Sequence, residues 1–307
     1  MSPATSLYLD TARFLAALVV FLGHASSGKW TGGLLWQVAP LGARAVDIFF
    51  VISGFVIAYV VDTKETRPSI YLVSRMARLY SVVIPALFIT LIFDAIGKSI
   101  SYAPYVSSNC EYNQIFAFFA NAIFVNEIWN NHIVFGSNGP YWSLGFEVIY
   151  YIIFGIAIFV PKRCSVILTA IAIIIAGPKI MVLFPLWLLG VFCYKLTRKK
   201  IFGMVSGALI FIISSVMMAY YMAYFADNST HGYDPLDQLT NIPSRYIDNY
   251  VTAALFSINI LAFDAIAAKI YPFLSYFRRP IRWISGATFS LYLFHLPTVE
   301  LMVALSP

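Results

Sequence analysis

The stretch that most constrains this chain is Leu7–Ala25, LYLDTARFLAALVVFLGHA. It is apolar and close to the ~20 residues a helix needs to cross a bilayer core, yet it carries Asp10, Arg13 and His24. An ionisable group at membrane depth costs about 2.5–3.5 kcal/mol or more, so such groups normally face a bundle interior and do a job there. Arg13 and His24 are eleven positions apart. At ~3.6 residues per turn that is almost three turns, which puts both on one face, roughly 16 Å apart along the axis. Asp10 lies one turn before Arg13 on nearly the same face. A polar stripe thus runs the length of an otherwise apolar helix, and other helices must cover it. The plainer alternative pairs Asp10 with Arg13 near the interface and leaves His24 to cap the helix end.

The rest of the chain is built for the same environment. Only 11% of its residues are charged, against 60% hydrophobic and 17% aromatic, with a mean hydropathy of +0.79; soluble domains carry about 25% charge. No polar tract is long enough for a separate soluble core, so residues 1–307 read as one integral-membrane domain. The net charge of +6 is spread over short loops flanking apolar runs. That is how topology signals are distributed, and it forms no nucleic-acid-binding stripe. Cys110, Cys164 and Cys193 are unclustered and odd in number, which suggests neither a disulfide framework nor a metal site. The first apolar run lacks a basic leader and a small-residue cleavage site, so it is expected to be a retained helix.

About ten apolar segments follow one another, so the expected fold is an all-α polytopic bundle. After Leu7–Ala25 comes a Gly- and Trp-rich loop, Ser26–Gly42, then Ala45–Val61, with Asp47 near its start and Ser53-Gly54 offering small residues for helix contact. A basic loop, Asp62–Arg78, precedes Leu79–Ile96; a polar loop with Cys110 leads to a short candidate, Gln114–Val125. Tyr141–Val160 carries Glu147 in its first turns. Ser165–Ala176 and Met181–Tyr194 are compact, and Ile201–Phe225 is long and clean. A polar loop, Ala226–Arg245, holds Asp227, His231, Asp234 and Asp237. Ile247–Ala267 and Trp283–Leu305 complete the set, and no internal repeat is visible.

Orientation raises a parity problem. Lys and Arg mark cytoplasmic loops, and they mark Asp62–Arg78, Lys195–Lys200 and Lys269–Arg282. Five candidate segments lie between the first two of these loops, and five is odd. Gln114–Val125 and Ser165–Ala176 fall below the usual 17–25 residues, so one of them is expected to be re-entrant or tilted. The loop at 62–78 places the amino terminus inside.

Several motifs converge on one pattern: the Arg13…His24 spacing, GARAVDIFFVISGFVI (Gly42–Ile57), Arg75 and Arg78, WSLGFEVIYY with Glu147, and the late SLYLFHLP with His295. Together they resemble the acyltransferase-3 family, membrane enzymes that O-acylate carbohydrates from acyl-coenzyme A. The resemblance covers nearly the whole chain. It implies Arg13 and His24 as the first motif, Glu147 as the carboxylate motif and Arg75 with Arg78 as the basic pair. It also implies an acyl-coenzyme A donor, acetyl by default, a carbohydrate acceptor of O-antigen, capsule or exopolysaccharide type, and a bacterial inner membrane. Arg44, before ISGF, stands where a small or apolar residue is expected. No appended extracytoplasmic hydrolase-like domain of the kind some members carry is expected.

The chemistry of these residues agrees. Transfer from a thioester to a sugar hydroxyl needs a base, because an alcohol is a poor nucleophile near neutral pH. His24 suits that role, either as general base or as an acyl-accepting nucleophile. Glu147 or Asp47 is a candidate to orient its imidazole. Arg75 and Arg78, one turn apart, suit the donor's phosphates, and equally suit a positive-inside signal. Asn121, Trp142, Ser143, Tyr150 and His295 are candidate lining, with His295 also readable as a satisfied interface residue. The rival class is a secondary transporter of an anionic or sugar-like solute using intramembrane Arg, His and Asp. Such proteins usually show repeats with broken helices, and coenzyme A binding separates the two classes.

Overall fold

The computed structural model describes residues 1–26, 28–34, 36–39, 41–108, 112–227 and 246–306. Among the described residues the chain forms α1 (Pro3–Ala25), α2 (Gly28–Thr31), α3 (Leu41–Thr63), α4 (Pro68–Ile100), α5 (Gln114–Ala122) and α6 (Trp142–Phe159). It continues with α7 (Lys162–Ala176), α8 (Pro178–Thr197), α9 (Met204–Asp227), α10 (Tyr246–Tyr276), α11 (Arg278–Gly286) and α12 (Thr288–Leu305). No strand occurs among them. His231, Asp234, Asp237 and Cys110 lie outside the described residues.

Local sequence sets where the helices start and stop. α1, α4 and α8 carry proline in their first turn, where a missing N–H costs no hydrogen bond. Ser2 caps α1 by accepting from the Thr5 amide at 3.0 Å, and Asn113 caps α5 by accepting from the Ile115 amide at 2.8 Å. The reversal between α7 and α8 turns on Gly177, at φ +80°, where a Cβ would meet the Trp129 Cα at 2.7 Å. Only glycine takes that conformation in that space.

Among the described residues, eight helices are long and apolar enough to cross a membrane: α1, α3, α4, α6 with the turn before it, α8, the Met204–Met222 part of α9, α10 and α12. Helix α3 is 61% buried and Met204–Met222 only 11%, so α3 is the central post and α9 lies at the lipid-facing rim. Exposed side chains such as Val166, Ile174, Leu209 and Ile213 clothe the outside, as a bilayer solvent requires. Helix α7 has 15 residues but still returns the chain from the end where α6 finishes to the end where α8 starts. Helix α5, with 9 residues, does not cross. Four traversing helices, α4, α6, α7 and α8, therefore separate the first two basic segments, and the parity problem disappears.

The two ends of the bundle differ in charge. Lys64, Arg67, Lys162, Arg163, Lys195, Arg198, Lys199, Lys200, Lys269, Arg278 and Arg279 are all exposed at one end. Contacts such as Arg198–Asp62 at 2.9 Å tie the finish of α8 to the finish of α3 there. At the opposite end the described basic groups are engaged: Arg44 with Asn249, Asp248 and Asp47, Lys98 over the Tyr105 ring, and Lys179 with Glu127. Arg44, the departure noted in the sequence, thus docks α3 onto α10.

Two boundaries differ from the sequence reading. Helix α4 begins at Pro68, so Arg75 and Arg78 stand on a long helix instead of in a loop. The last segment breaks at Ala287 into the amphipathic α11, which buries no residue, and the buried-faced α12.

The post α3 meets α8 at backbone contact. A Cβ on Gly54 would lie 2.0 Å from the Trp187 carbonyl oxygen, and one on Gly190 would lie 2.0 Å from the Val51 carbonyl oxygen. This approach, of the small-residue kind that brings membrane helices close, sets Ser53 against Trp187.

Candidate active site

A cavity opens among α1, α3, α4, α6 and α12. Its polar lining is Arg13, Ser53, Arg78, Ser143, Glu147, Tyr151, Thr288 and Tyr292, set in walls that include Phe49, Phe50, Leu144 and Phe289. Arg13, Glu147 and Arg78, distant in sequence, therefore share one chamber. They reach it because α1, α4 and α6 each turn one polar position toward α3.

Glu147 is the most elaborately held of these groups. Its Oε1 accepts from the Ser53 hydroxyl at 2.5 Å and from the Tyr151 hydroxyl. Trp187 Nε1 donates to Ser53 Oγ at 3.2 Å, so the carboxylate is clamped from α3, α6 and α8 together. Arg13 lies 3.7 Å from Asp10, and Asp10 in turn binds Arg282 of α11. Arg78 lines the cavity, and its guanidinium has no hydrogen-bonding or ion-pair partner among the described residues. A guanidinium in that state, beside a second one, suits an anionic group such as phosphate.

Arg75 has a different environment. It pairs with Glu65 at 2.6 Å and its guanidinium lies 6.0 Å from the Tyr71 ring centroid and 5.9 Å from that of Tyr151. It is buried behind the cavity wall, with Nη1 unpartnered. The two arginines of the basic pair therefore diverge: Arg78 faces the chamber and Arg75 braces its edge.

His24 stands at the far end of α1, toward the opposite end of the bundle from the basic residues. Its ring lies 5.2 Å from that of His295. No carboxylate is within ion-pair distance of His24 among the described residues; Glu147 is engaged as above, and Asp47 lies 4.0 Å from Arg44. The remaining candidates divide. Ser143 lines the cavity and shares a 2.8 Å hydrogen bond with the Tyr292 hydroxyl. Trp142 packs behind it on Phe146, with ring centroids 5.1 Å apart. Tyr150 is fully buried and donates to the Ile180 carbonyl at 2.7 Å. Asn121 donates to the Ala117 and Ile133 carbonyls at 2.8 and 2.9 Å, fastening the loop before α6. Trp142, Tyr150 and Asn121 support the wall without reaching its surface.

Sequence reasoning passed over Ser53, Tyr151 and Tyr292 as site residues. Tyr151 carried a signal, lying one turn after Glu147 on its face. Ser53 was visible only as a packing residue, and Tyr292 gave none, since its partners Ser143 and Pro140 lie about 150 positions away. No group of acidic, His and Cys residues able to hold a metal occurs among the described residues.

Comparison with known proteins agrees with this architecture. Residues 6–307 match the model of an acyltransferase domain family. The O-acetyl transferase of Shigella phage Sf6 is 28% identical over 58% of this chain and 56% of its own length. The peptidoglycan O-acetyltransferase OatA of Listeria monocytogenes is 25% identical over 95% of this chain and 49% of its own. The exopolysaccharide production protein ExoZ of Rhizobium meliloti is 26% identical over 83% of this chain and 76% of its own. The chain spans about half the length of the first two relatives. No solved structure matches. With the family model covering nearly every residue, and a helical membrane bundle around a cavity of mixed charge, the chain belongs to the acyltransferase-3 family.

Proposed function

We propose that this protein is a membrane O-acyltransferase that moves an acyl group, acetyl by analogy with its relatives, from acyl-coenzyme A to a hydroxyl of a cell-surface or lipid-linked carbohydrate. The observation that carries this reading is the placement of Arg78, unpaired, beside Arg13 and Glu147 in a chamber within the bundle. Supporting it, free basic residues collect at one end, which the positive-inside rule assigns to the cytoplasm, and the His24–His295 pair stands at the other.

The donor's phosphates enter from the basic end and pair with Arg78 and Arg13. Its extended thioester arm reaches from the arginines toward His24, which stands outside the cavity lining, roughly 16 Å beyond Arg13 along α1. The acceptor hydroxyl attacks the thioester carbonyl while His24 takes its proton, a contribution of about 10²–10⁴-fold for a positioned base. The tetrahedral intermediate then collapses: the carbon–sulfur bond breaks, the sugar ester forms, and the proton held by His24 leaves with the coenzyme A thiol. Glu147, clamped by Ser53 and Tyr151, fixes the charge balance of the two arginines so that they hold the donor without locking it. The membrane is the bacterial inner membrane on this reading, where acyl-coenzyme A is available on one side and the acceptor on the other.

The test is mass spectrometry of surface glycans from cells with and without the gene, and with the Arg78→Ala form. An added acyl mass present only with the wild-type protein supports the reading. Identical glycans in all three overturn it.

A further inference from the structure

His295 is a second imidazole that the scheme above leaves idle. It is only 5% exposed. Its Nδ1 lies 2.9 Å from the Tyr292 carbonyl and 3.1 Å from the Leu291 carbonyl. Carbonyl oxygens only accept, so Nδ1 carries the hydrogen, and in the neutral ring Nε2 is then a bare acceptor. That acceptor is buried and has no hydrogen-bond partner. Buried polar atoms are nearly always satisfied, so an exception asks for a reason.

The neighbours supply one. The ring of His24 lies 5.2 Å away at an interplanar angle of 35°. The other faces of His295 meet rings, Phe21 at 6.1 Å and Tyr292 at 6.3 Å. Among the described residues no Asp, Glu, Lys or Arg is in ion-pair contact with either imidazole. His24 is exposed at the end of α1, and the 5.2 Å between the ring centroids is a separation that an N–H···N contact between two imidazoles can span.

We propose that His295 is the positioning partner of His24. Its tautomer is fixed by the α12 backbone, and its Nε2 accepts from one nitrogen of His24. That contact leaves the other His24 nitrogen unprotonated toward the acceptor hydroxyl, and holds the imidazolium formed when His24 takes the proton. The role that a carboxylate plays in a serine-hydrolase triad falls here to a neutral imidazole, in keeping with a base that has no carboxylate in ion-pair contact among the described residues. This inference rests on the reading of His24 as the base.

Two substitutions test it in the full-length protein reconstituted in nanodiscs. Radiolabelled acetyl-coenzyme A serves as donor, and glycan from cells lacking the gene serves as acceptor. His295→Asn keeps a donor for the two α12 carbonyls and deletes the Nε2 acceptor. His295→Gln places an amide oxygen near the Nε2 position. The expected result is a fall in kcat of about 10²-fold for His295→Asn, the low end for a positioned acid–base group. The KM for acetyl-coenzyme A should stay within about twofold of wild type in that variant, because the donor's phosphates sit at the arginines. His295→Gln should recover most of the lost rate. Wild-type kcat in His295→Asn overturns the proposal, as does a Gln form no better than the Asn form, or a loss of rate that tracks a loss of monodispersity. His24→Ala is assayed in parallel. Full turnover in that variant refutes His24 as the base, whereas an inactive His24→Ala with an active His295→Asn refutes only the partnership.

Discussion

The substitution Gly190→Ala probes the contact on which the chamber is built. A Cβ at position 190 would stand 2.0 Å from the Val51 carbonyl oxygen, 2.8 Å from the Phe55 nitrogen and 2.9 Å from the Val51 carbonyl carbon. All three are main-chain atoms of α3, so no side chain can swing aside, and for the Val51 oxygen ordinary contact begins more than an ångström further out. The helices must part. Overpacking a tight site costs typically 1–3 kcal/mol and occasionally more, whereas alanine returns about 1 kcal/mol of helix propensity relative to glycine. Backbone contact on the α3 side puts the penalty at the upper end, for a net loss of about 2 kcal/mol. As α8 backs away, Trp187 Nε1 loses its 3.2 Å bond to Ser53 and the clamp on Glu147 loosens, so transfer should fall along with stability. The assay is thermal unfolding of the detergent-solubilised protein beside transfer from labelled acetyl-coenzyme A. Gly286→Ala is the control, since nothing lies within 4 Å of a Cβ there, and it should unfold at or slightly above the wild-type temperature. If Gly190→Ala unfolds with wild type and turns over normally, the α3–α8 contact does not have the role assigned to it.

Other perturbations separate the polar groups. Glu147→Gln keeps an acceptor for Ser53 and Tyr151 but removes the charge between the arginines; kcat should drop about 10²-fold, as for loss of one electrostatic group in an active site, with unfolding temperature unchanged. Arg78→Ala should raise the KM for acyl-coenzyme A and leave stability alone, because the Arg78 guanidinium has no partner to orphan among the described residues. Arg75→Ala should do the reverse. It leaves Glu65 buried without its 2.6 Å partner, a change that costs about 3–5 kcal/mol for buried pairs, and it should show first in thermal unfolding. Lys179→Met should destabilise by removing the buried cation that pairs with Glu127, both groups being almost fully buried; Asn126 and His132 still contact that carboxylate, so the loss should be smaller than for Arg75→Ala, with the donor KM unchanged.

Helix periodicity and apolar length were enough to read the bundle, and of the Arg13–His24 pair Arg13 lines the cavity whereas His24 stands outside its lining. What remained hidden depended on distance in sequence. Arg75 and Arg78 look alike as a basic pair one turn apart, and only the fold gives one of them Glu65 and two tyrosine faces while leaving the other to the cavity. The short run at Gln114–Val125 had the hydropathy of a span, but its nine-residue helix cannot reach across a bilayer core. The partner expected for His24 was a carboxylate, because carboxylates orient most catalytic histidines. Glu147 is drawn instead to Ser53 and Tyr151, and the ring that α12 sets beside His24 is that of His295. No local pattern encodes that choice, because it depends on the register of α12 against α1.

The most direct measurement supplies acetyl-coenzyme A, labelled in the acetyl group, to the purified wild-type protein in nanodiscs together with deacetylated surface glycan. It follows free thiol and glycan-bound label over time, with His24→Ala in parallel. The account predicts equal amounts of thiol released and ester formed by wild type, and acetyl-coenzyme A bound but neither product formed by the variant. Wild-type protein that neither binds acetyl-coenzyme A nor labels the glycan, or a His24→Ala form that labels it at the wild-type rate, would contradict the account.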